Sequence, residues 1–403
     1  MIIIHPLEVV ESNGNARLQA VLEIDGDQKC VWFQVDQKYR DYLCWERSDA
    51  FVVGVLNYAK RHGHDIKTTT PMSVELYYQL EHYLIDAVCK NEPKFHRVKL
   101  TSEIASKHLP CAGAVGTGIS CGIDSFYTIT LHEQANLEKF KITHLTFNNV
   151  GSHGEGDTAT RVYQAQKKRA EAFCQEFGYE FVANDSNIMD VVPQSHYFTH
   201  TYSSCFAVLA LQKLFTIYYY ASSSAFEDFN LLNTYEKACG SYDLLSLQCF
   251  STQNLKFYSS GGNASRLEKT RFVADYTPSY KYLNVCVWGL RDDANCSCKC
   301  EKCQRTILTL DALGKLNLYR EVFDVDYYYR HKQRFLLTML REMRKGAHKD
   351  YVYVYPLLKS DISLWTRCKS IILSLRELKN KIARKLRRYP KLRSFVRKLL
   401  RRS

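Results

Sequence analysis

An α/β fold, built on a parallel sheet with flanking helices, is what this 403-residue sequence predicts. Three observations predict it. From about residue 112, short apolar runs alternate with helix-length amphipathic stretches. The first of these runs, Ala112-Gly113-Ala114-Val115-Gly116-Thr117-Gly118-Ile119, enters a Gly/Ser-rich turn, Ser120-Cys121-Gly122-Ile123-Asp124-Ser125, and a helix-compatible stretch follows over 126–131. The composition, 46% hydrophobic and 13% aromatic, supplies a sizeable core for two or three domains.

The elements follow in order. Residues 1 to 108 read as an α+β domain. Segments 18–24 and 30–35 are strands joined at the turn Asp25-Gly26-Asp27. Helices follow over 49–61 and from Ser73-Val74-Glu75, whose Ser/Glu pair resembles a capping box. Nothing in this region looks catalytic, so it is assigned to substrate, partner or homodimer contacts. Residues 109–325 form the next domain. After the first strand and helix come a strand at 142–147, a helix over 157–177 and a strand at 179–184. These βαβ units give a parallel sheet through right-handed crossovers. The turn at 120–125, the segment 148–153 and the segment 185–187 then lie at carboxyl ends of strands, where such sheets bind ligands. The apolar stretch 205–211 stops at Gln212 and Lys213, so it reads as a buried helix rather than a membrane span. Helices are expected over 326–375, with a basic tail over 376–403.

The turn at 120–125 has the chemistry of an anion cradle. Small residues allow close approach, and amide groups at a helix N-terminus stabilise negative charge. Ser120 and Ser125 add hydroxyl donors. No Gly-Lys-Ser/Thr follows, so it is not a Walker-type loop. An ordinary strand-to-helix turn with an N-cap would read similarly. Five cysteines, 286, 296, 298, 300 and 303 of the chain's 15, crowd one later segment. Cys300 and Cys303 form a CxxC pair, which Cys286 and either Cys296 or Cys298 complete to four thiolates, the usual number around structural zinc. An iron–sulfur cluster is the alternative. No secretory signal is visible and the other cysteines are scattered, as in a reducing compartment. A cytoplasmic protein, free or peripheral on the inner membrane face, is expected, and thiolates rather than disulfides.

Ser120, Gly122, Asp124 and Ser125 resemble the SGGxDS motif of the PP-loop, or N-type ATP pyrophosphatase, superfamily, with Cys121 in place of the first paired glycine. Joined to Cys-x9-Cys-x3-Cys-x2-Cys, the chain resembles the 7-cyano-7-deazaguanine synthase (queuosine) branch, whose spacing is Cys-x8-Cys-x2-Cys-x2-Cys. It is closer to a longer subgroup often found beside surface-polysaccharide genes. The resemblance covers about residues 110–315. It implies an adenine nucleotide alpha hydrolase-like fold and an amide- or nitrile-forming ligase. ATP and Mg²⁺ would bind at Ser120, Cys121, Gly122, Ile123, Asp124, Ser125, Phe147 and His153. Asp124, Lys269 and Arg266 would be catalytic, and Cys286, Cys296, Cys300 and Cys303 would hold Zn²⁺. The substrate would be a carboxylate or amide, and the nucleophile ammonia or an amine. A tRNA-modifying sulfur transferase of the same superfamily, or a non-catalytic zinc-stabilised scaffold, remains open.

Other residues are weighed against plain structural roles. His153 is a phosphate contact or base, or a solvated loop histidine. Arg266 and Lys269 follow Gly261-Gly262 and hold phosphate, or sit in a first helical turn. Asp243 binds substrate or caps a helix. Arg305 and Thr306 adjoin the cysteines or start a helix. Cys121, at a helix N-terminus, is the thiol best placed for reactivity. Finally, residues 376–402 carry 13 Lys/Arg against one acid, Glu377, so nearly all of the chain's net +13 lies there. With apolar residues interspersed and Pro390 dividing two short helices, this tail suits an anionic membrane surface, a solvated end, or, less well, nucleic acid.

Overall fold

The computed structural model describes residues 1–135, 137–153, 156–286, 295, 300–346 and 349–388, with backbone alone for 156–159 and 382–388. The chain packs as two compact units, Met1–Asp293 and Ala294–Ser403.

The first unit begins with β1 (Ile2–Ile4), β2 (Glu8–Ser12), β3 (Asn15–Ile24) and β4 (Asp27–Asp36). Strand β3 alternates buried and half-exposed residues, the period-2 pattern of a sheet with one face on the core. The β3–β4 turn has positive φ at both Asp25 (51°) and Gly26 (96°), the type I′ geometry that matches strand twist. Asn13 and Gly14 make the same turn between β2 and β3, a hairpin the sequence reading did not assign.

Helix α1 (Asp49–His62) ends at Gly63 in the left-handed conformation. Strands β5 (Ile66–Thr68) and β6 (Met72–Ser73) precede α2 (Val74–Gln79), which continues through a π-type turn at Leu80–Leu84 into α3 (Ile85–Asn91). The capping box expected at Ser73 does not form: its hydroxyl donates instead to buried Asp49, at 2.5 Å. Short strands β7 (Leu100–Thr101) and β8 (Ile104–Ala105) follow; β8 pairs with β6 in a separate two-stranded sheet.

The α/β region holds β9 (Ala114–Gly118), α4 (Ile123–Glu133), β10 (His144–Asn149), α5 (Gly156–Phe177), β11 (Glu180–Ser186), α6 (Ile188–Val191), α7 (His196–Leu209), β12 (Phe215–Ala221), α8 (Asp243–Phe250), β13 (Lys256–Ser260), α9 (Arg266–Val273) and α10 (Pro278–Tyr282). Strands β13-β12-β9-β10-β11 are parallel throughout, as the βαβ reading expects. The sheet does not end there. Strand β4 pairs antiparallel with β11, and the order continues through β3, β1, β5 and β7 to make eleven strands with β2. Helix α7, which takes in residues 205–209 of the stretch expected to be buried, packs on α1. Phe206 meets Phe33 and Phe51 edge-on, at 5.9 and 5.6 Å between centroids.

The second unit is helical among its described residues: α11 (Glu301–Ala312), α12 (Val325–Lys345), α13 (Asp350–Leu358) and α14 (Leu364–Arg388). Helix α14 runs unbroken across residue 376, where the sequence reading began a separate tail. The break expected at Pro390 lies outside the described residues. No helix of the described residues is long and apolar enough to cross a membrane.

Candidate functional site

In the parallel order β13-β12-β9-β10-β11, chain connections from β9 lead one way to β10 and later return to place β12 on its other side. The carboxyl end of β9 is therefore the topological switch point of the sheet. In the middle of β9 the packing is close: a Cβ at Gly116 would come within 2.6 Å of the Phe215 ring on β12.

The residues after β9 turn sharply. Cys121 takes φ +55°, a conformation that costs a residue with a Cβ about 1 kcal/mol. The sequence reading expected positive φ or a close approach at this replaced glycine. The Cys121 carbonyl accepts from the Asn284 amide at 2.7 Å. Its side chain is buried, and burial pushes the thiol up to about 12. The helix-terminal activation expected of this thiol is therefore overridden by loss of water. Gly122 is the N-cap of α4 and makes no side-chain capping bond, which leaves first-turn amides of α4 without an intrahelical acceptor. Ser125 Oγ donates to the Gly122 carbonyl (3.0 Å) and lies 3.4 Å from Ser120 Oγ, so both hydroxyls line the turn. Ile123 is buried beneath it.

Asp124, in the first turn of α4, meets two cations from α9. Arg266 Nη2 lies 2.9 Å from one carboxylate oxygen and Lys269 Nζ 3.1 Å from the other. Burial pushes the Asp124 carboxyl up, but the Arg266 and Lys269 charges more than reverse this and hold it below the ordinary carboxylate range. Helix α9 is short, and a complete capping box starts it: Ser265 Oγ accepts from the Glu268 amide while Glu268 accepts from the Ser265 amide. That box fixes the first turn carrying Arg266. Gly261, at φ +84°, opens the approach. A Cβ there would sit 3.1 Å from Lys269 Cε and from the Tyr127 ring.

Lys269 is buried and donates also to the Ser222 carbonyl at 2.7 Å, just past β12. The Ser222 hydroxyl donates to Asp243, at 2.6 Å. Burial raises the Asp243 carboxyl, and the Ser222 hydrogen bond opposes it. Asp243 is the first residue of α8, so it combines a helix-start position with a place in this chain of polar contacts. Sequence reasoning missed Ser222. The run Ser222-Ser223-Ser224 at a strand end was the available signal.

Phe147 and His153 form a second group, at the carboxyl end of β10. The buried Phe147 ring lies 5.6 Å from His153 and 5.5 Å from Tyr163 of α5. His153 Nε2 is 3.2 Å from Gln166 Oε1, and Nδ1 is 2.9 Å from Ser152 Oγ. Burial lowers its basicity, with the Gln166 contact opposing. His153 is thus a packed, hydrogen-bonded ring and not a solvated loop residue. Beside it, Asn149 donates to Asp185 (2.8 Å) and Asn184 to Asn148 (2.6 Å). Asn184 Oδ1 is buried and has no partner among the described residues, an acceptor open to a ligand N–H.

Of the expected metal ligands, Cys296 lies outside the described residues, as does the alternative Cys298. Cys300 and Cys303, in the second unit, are buried with sulfurs within 4.8 Å of one another, and Cys286 is buried in the first. Zn–S bonds of about 2.3 Å in a tetrahedron separate sulfurs by about 3.8 Å, so this spacing fits a thiolate-bound metal. Cys300 is the N-cap of α11, and its sulfur accepts from the Cys303 amide at 3.4 Å. Arg305, on the same helix, pairs with Asp350 at 2.8 Å, and Thr306 donates to the Lys302 carbonyl; neither contact is with a cysteine.

Chemically, the β9–α4 turn offers helix amides, two hydroxyls and two cations against one carboxylate. That is a net positive, partly water-excluded site suited to a polyanion. Compared with protein-family models, curated proteins and solved structures, the chain matches none.

Proposed function

We propose that the protein is an adenylating enzyme, splitting ATP into AMP and pyrophosphate to activate a carboxylate or amide for attack by ammonia or an amine. One observation carries the reading. Asp124, in the uncapped first turn of α4 at the switch point, is bridged to Arg266 and Lys269 from a distant segment. A plain strand-to-helix turn needs no such pair of cations. A triphosphate does: its charge would be met by the α4 amides, Ser120, Ser125, Lys269 and Arg266. The resemblance of residues 120–125 to the PP-loop motif supports the same assignment.

In the reaction, an acceptor oxygen attacks the α-phosphorus and the bond to the β-phosphate breaks, with the electron pair leaving on pyrophosphate. Lys269 and Arg266 neutralise that growing charge in a site poor in water, where such contacts are strongest. Asp124 orients both cations. Mg²⁺ would arrive with the nucleotide, coordinated mainly by phosphate oxygens and water. The nitrogen nucleophile then displaces AMP from the activated carbon. Zinc at Cys286, Cys300, Cys303 and Cys296 would be structural, since four thiolates leave no open coordination position.

The test is pyrophosphate release by the full chain with Mg-ATP, ammonia and a panel of carboxylates. Asp124→Ala should lower turnover by at least about a hundredfold with unchanged circular dichroism. Unchanged turnover in that variant removes the turn from the reaction.

A further inference from the structure

Helix α14 packs inside out. The residues it turns toward α12 are polar: Thr366 and Ser370 are fully buried, Thr366 Oγ1 donates to Gln333 at 2.7 Å, Ser370 accepts from Arg344, and Glu377 pairs with Arg341. The opposite face is apolar and open. Leu364, Trp365, Ile371, Ile372, Leu375 and Leu378 are 49% to 79% exposed. At 100° per residue, Leu364, Ile371, Leu375 and Leu378 fall on one stripe, with Trp365 and Ile372 on its shoulder. An exposed face of this size on a helix marks an interaction surface.

Charge decides what covers it. Lys369 and Arg376 flank the stripe and Lys379 stands within it, and the sequence over 376–402 adds up to +12, its one acid already paired with Arg341 and near Lys345. A second copy of the same helix would bring these like charges together. Nucleic acid would match the charge but leave five aliphatic side chains in water, and the one aromatic of the stripe, Trp365, is already covered by Lys369 Nζ at 4.2 Å from its ring. An anionic lipid surface satisfies both: apolar side chains enter the acyl boundary, Trp365 sits at headgroup level, and long basic side chains reach the phosphates.

We infer that α14 docks the protein on the surface of an anionic membrane, lying in its plane. This surface starts at Leu364, a full twelve residues before the charge run that the sequence alone marks as a tail.

The experiment is sedimentation of the full chain with vesicles. Expected are binding to phosphatidylcholine vesicles containing phosphatidylglycerol, loss of about tenfold or more on pure phosphatidylcholine, and a comparable loss for Ile371→Asp/Leu375→Asp on the mixed vesicles. Both side chains are exposed, so circular dichroism and thermal midpoint of that variant should match the parent. The inference fails if mixed vesicles do not bind the chain or the variant binds them equally. It fails too if sedimentation equilibrium shows a dimer that the variant dissociates. Binding of single-stranded RNA without vesicle binding would likewise overturn it.

Discussion

Lys60 is wholly buried near the end of α1, and among the described residues no carboxylate pairs with it. Its ammonium donates to Tyr202 at 2.8 Å and lies over the rings of Phe95 and Tyr202 at 4.9 and 5.0 Å. Burial lowers its pKa to about 8. The unfolded chain, with an ordinary lysine near 10.5, holds that proton more tightly than the folded one. Folding stability should therefore rise with pH between about 8 and 10.5, as the cost of an isolated buried charge disappears. Lys60→Met, linear and of similar volume, should stabilise the protein by about 3 kcal/mol at pH 7, and the gain should shrink over the same pH window. Urea unfolding of both proteins at several pH values measures this; a destabilised variant at pH 7 would mean that the amine's contacts outweigh its burial. Nothing in the sequence marks Lys60, because the rings that surround it are distant in the chain, Tyr202 lying 142 positions away. Cys121 is the opposite case. Its replacement of a glycine was visible, and so was the positive φ that a glycine would have served; the burial that keeps its thiol neutral depends on tertiary packing and was not.

At the scale of elements, local chemistry was legible where the partner is close in sequence. Asp25-Gly26 announced a hairpin, and the α1 and α5 stretches were read as helices near their observed bounds. Caps were less so. Ser73 and Ser265 each precede a helix with an acidic residue soon after, yet only Ser265 caps. Asp49, 24 residues earlier, takes the Ser73 hydroxyl, and no local pattern shows that competition. Because α9 has two turns and carries both cations of the candidate site, its cap should matter more than an average one. Ser265→Ala should lower stability by about 1 kcal/mol in urea titration. The same change at Ser73 should cost more, since it strips a hydrogen bond from the buried Asp49 carboxyl. Equal effects at the two serines would contradict this. The exposed apolar face of α14 also escaped the sequence: periodicity shows that a helix has an apolar side, and only packing shows which side faces inward.

For the whole molecule, alternation of strands and helices was enough to give the α/β class and a parallel sheet. It was not enough to join the first four strands to that sheet. The β4–β11 pairing links segments about 150 residues apart through Asn184↔Val35 and its neighbours, a contact set by surface shape and not by any motif. The meeting of Asp124 with Lys269, 145 residues apart, is of the same kind: each was a candidate by local pattern, and the switch-point geometry brings them together. The cysteine group has its own whole-chain test. Metal analysis of protein purified without chelator should find about one zinc per chain, and removing it should lower the thermal midpoint. Iron and an absorption band in the visible would point to a cluster instead.

The central claim is that the turn after β9 grips a triphosphate. Isothermal titration of Mg-ATP into the full chain addresses it most directly, with Lys269→Met as the control. Saturable binding near one nucleotide per chain, weakened about tenfold or more by the substitution, is the predicted result. Absence of binding by the folded parent protein, or affinity that Lys269→Met leaves untouched, would contradict it.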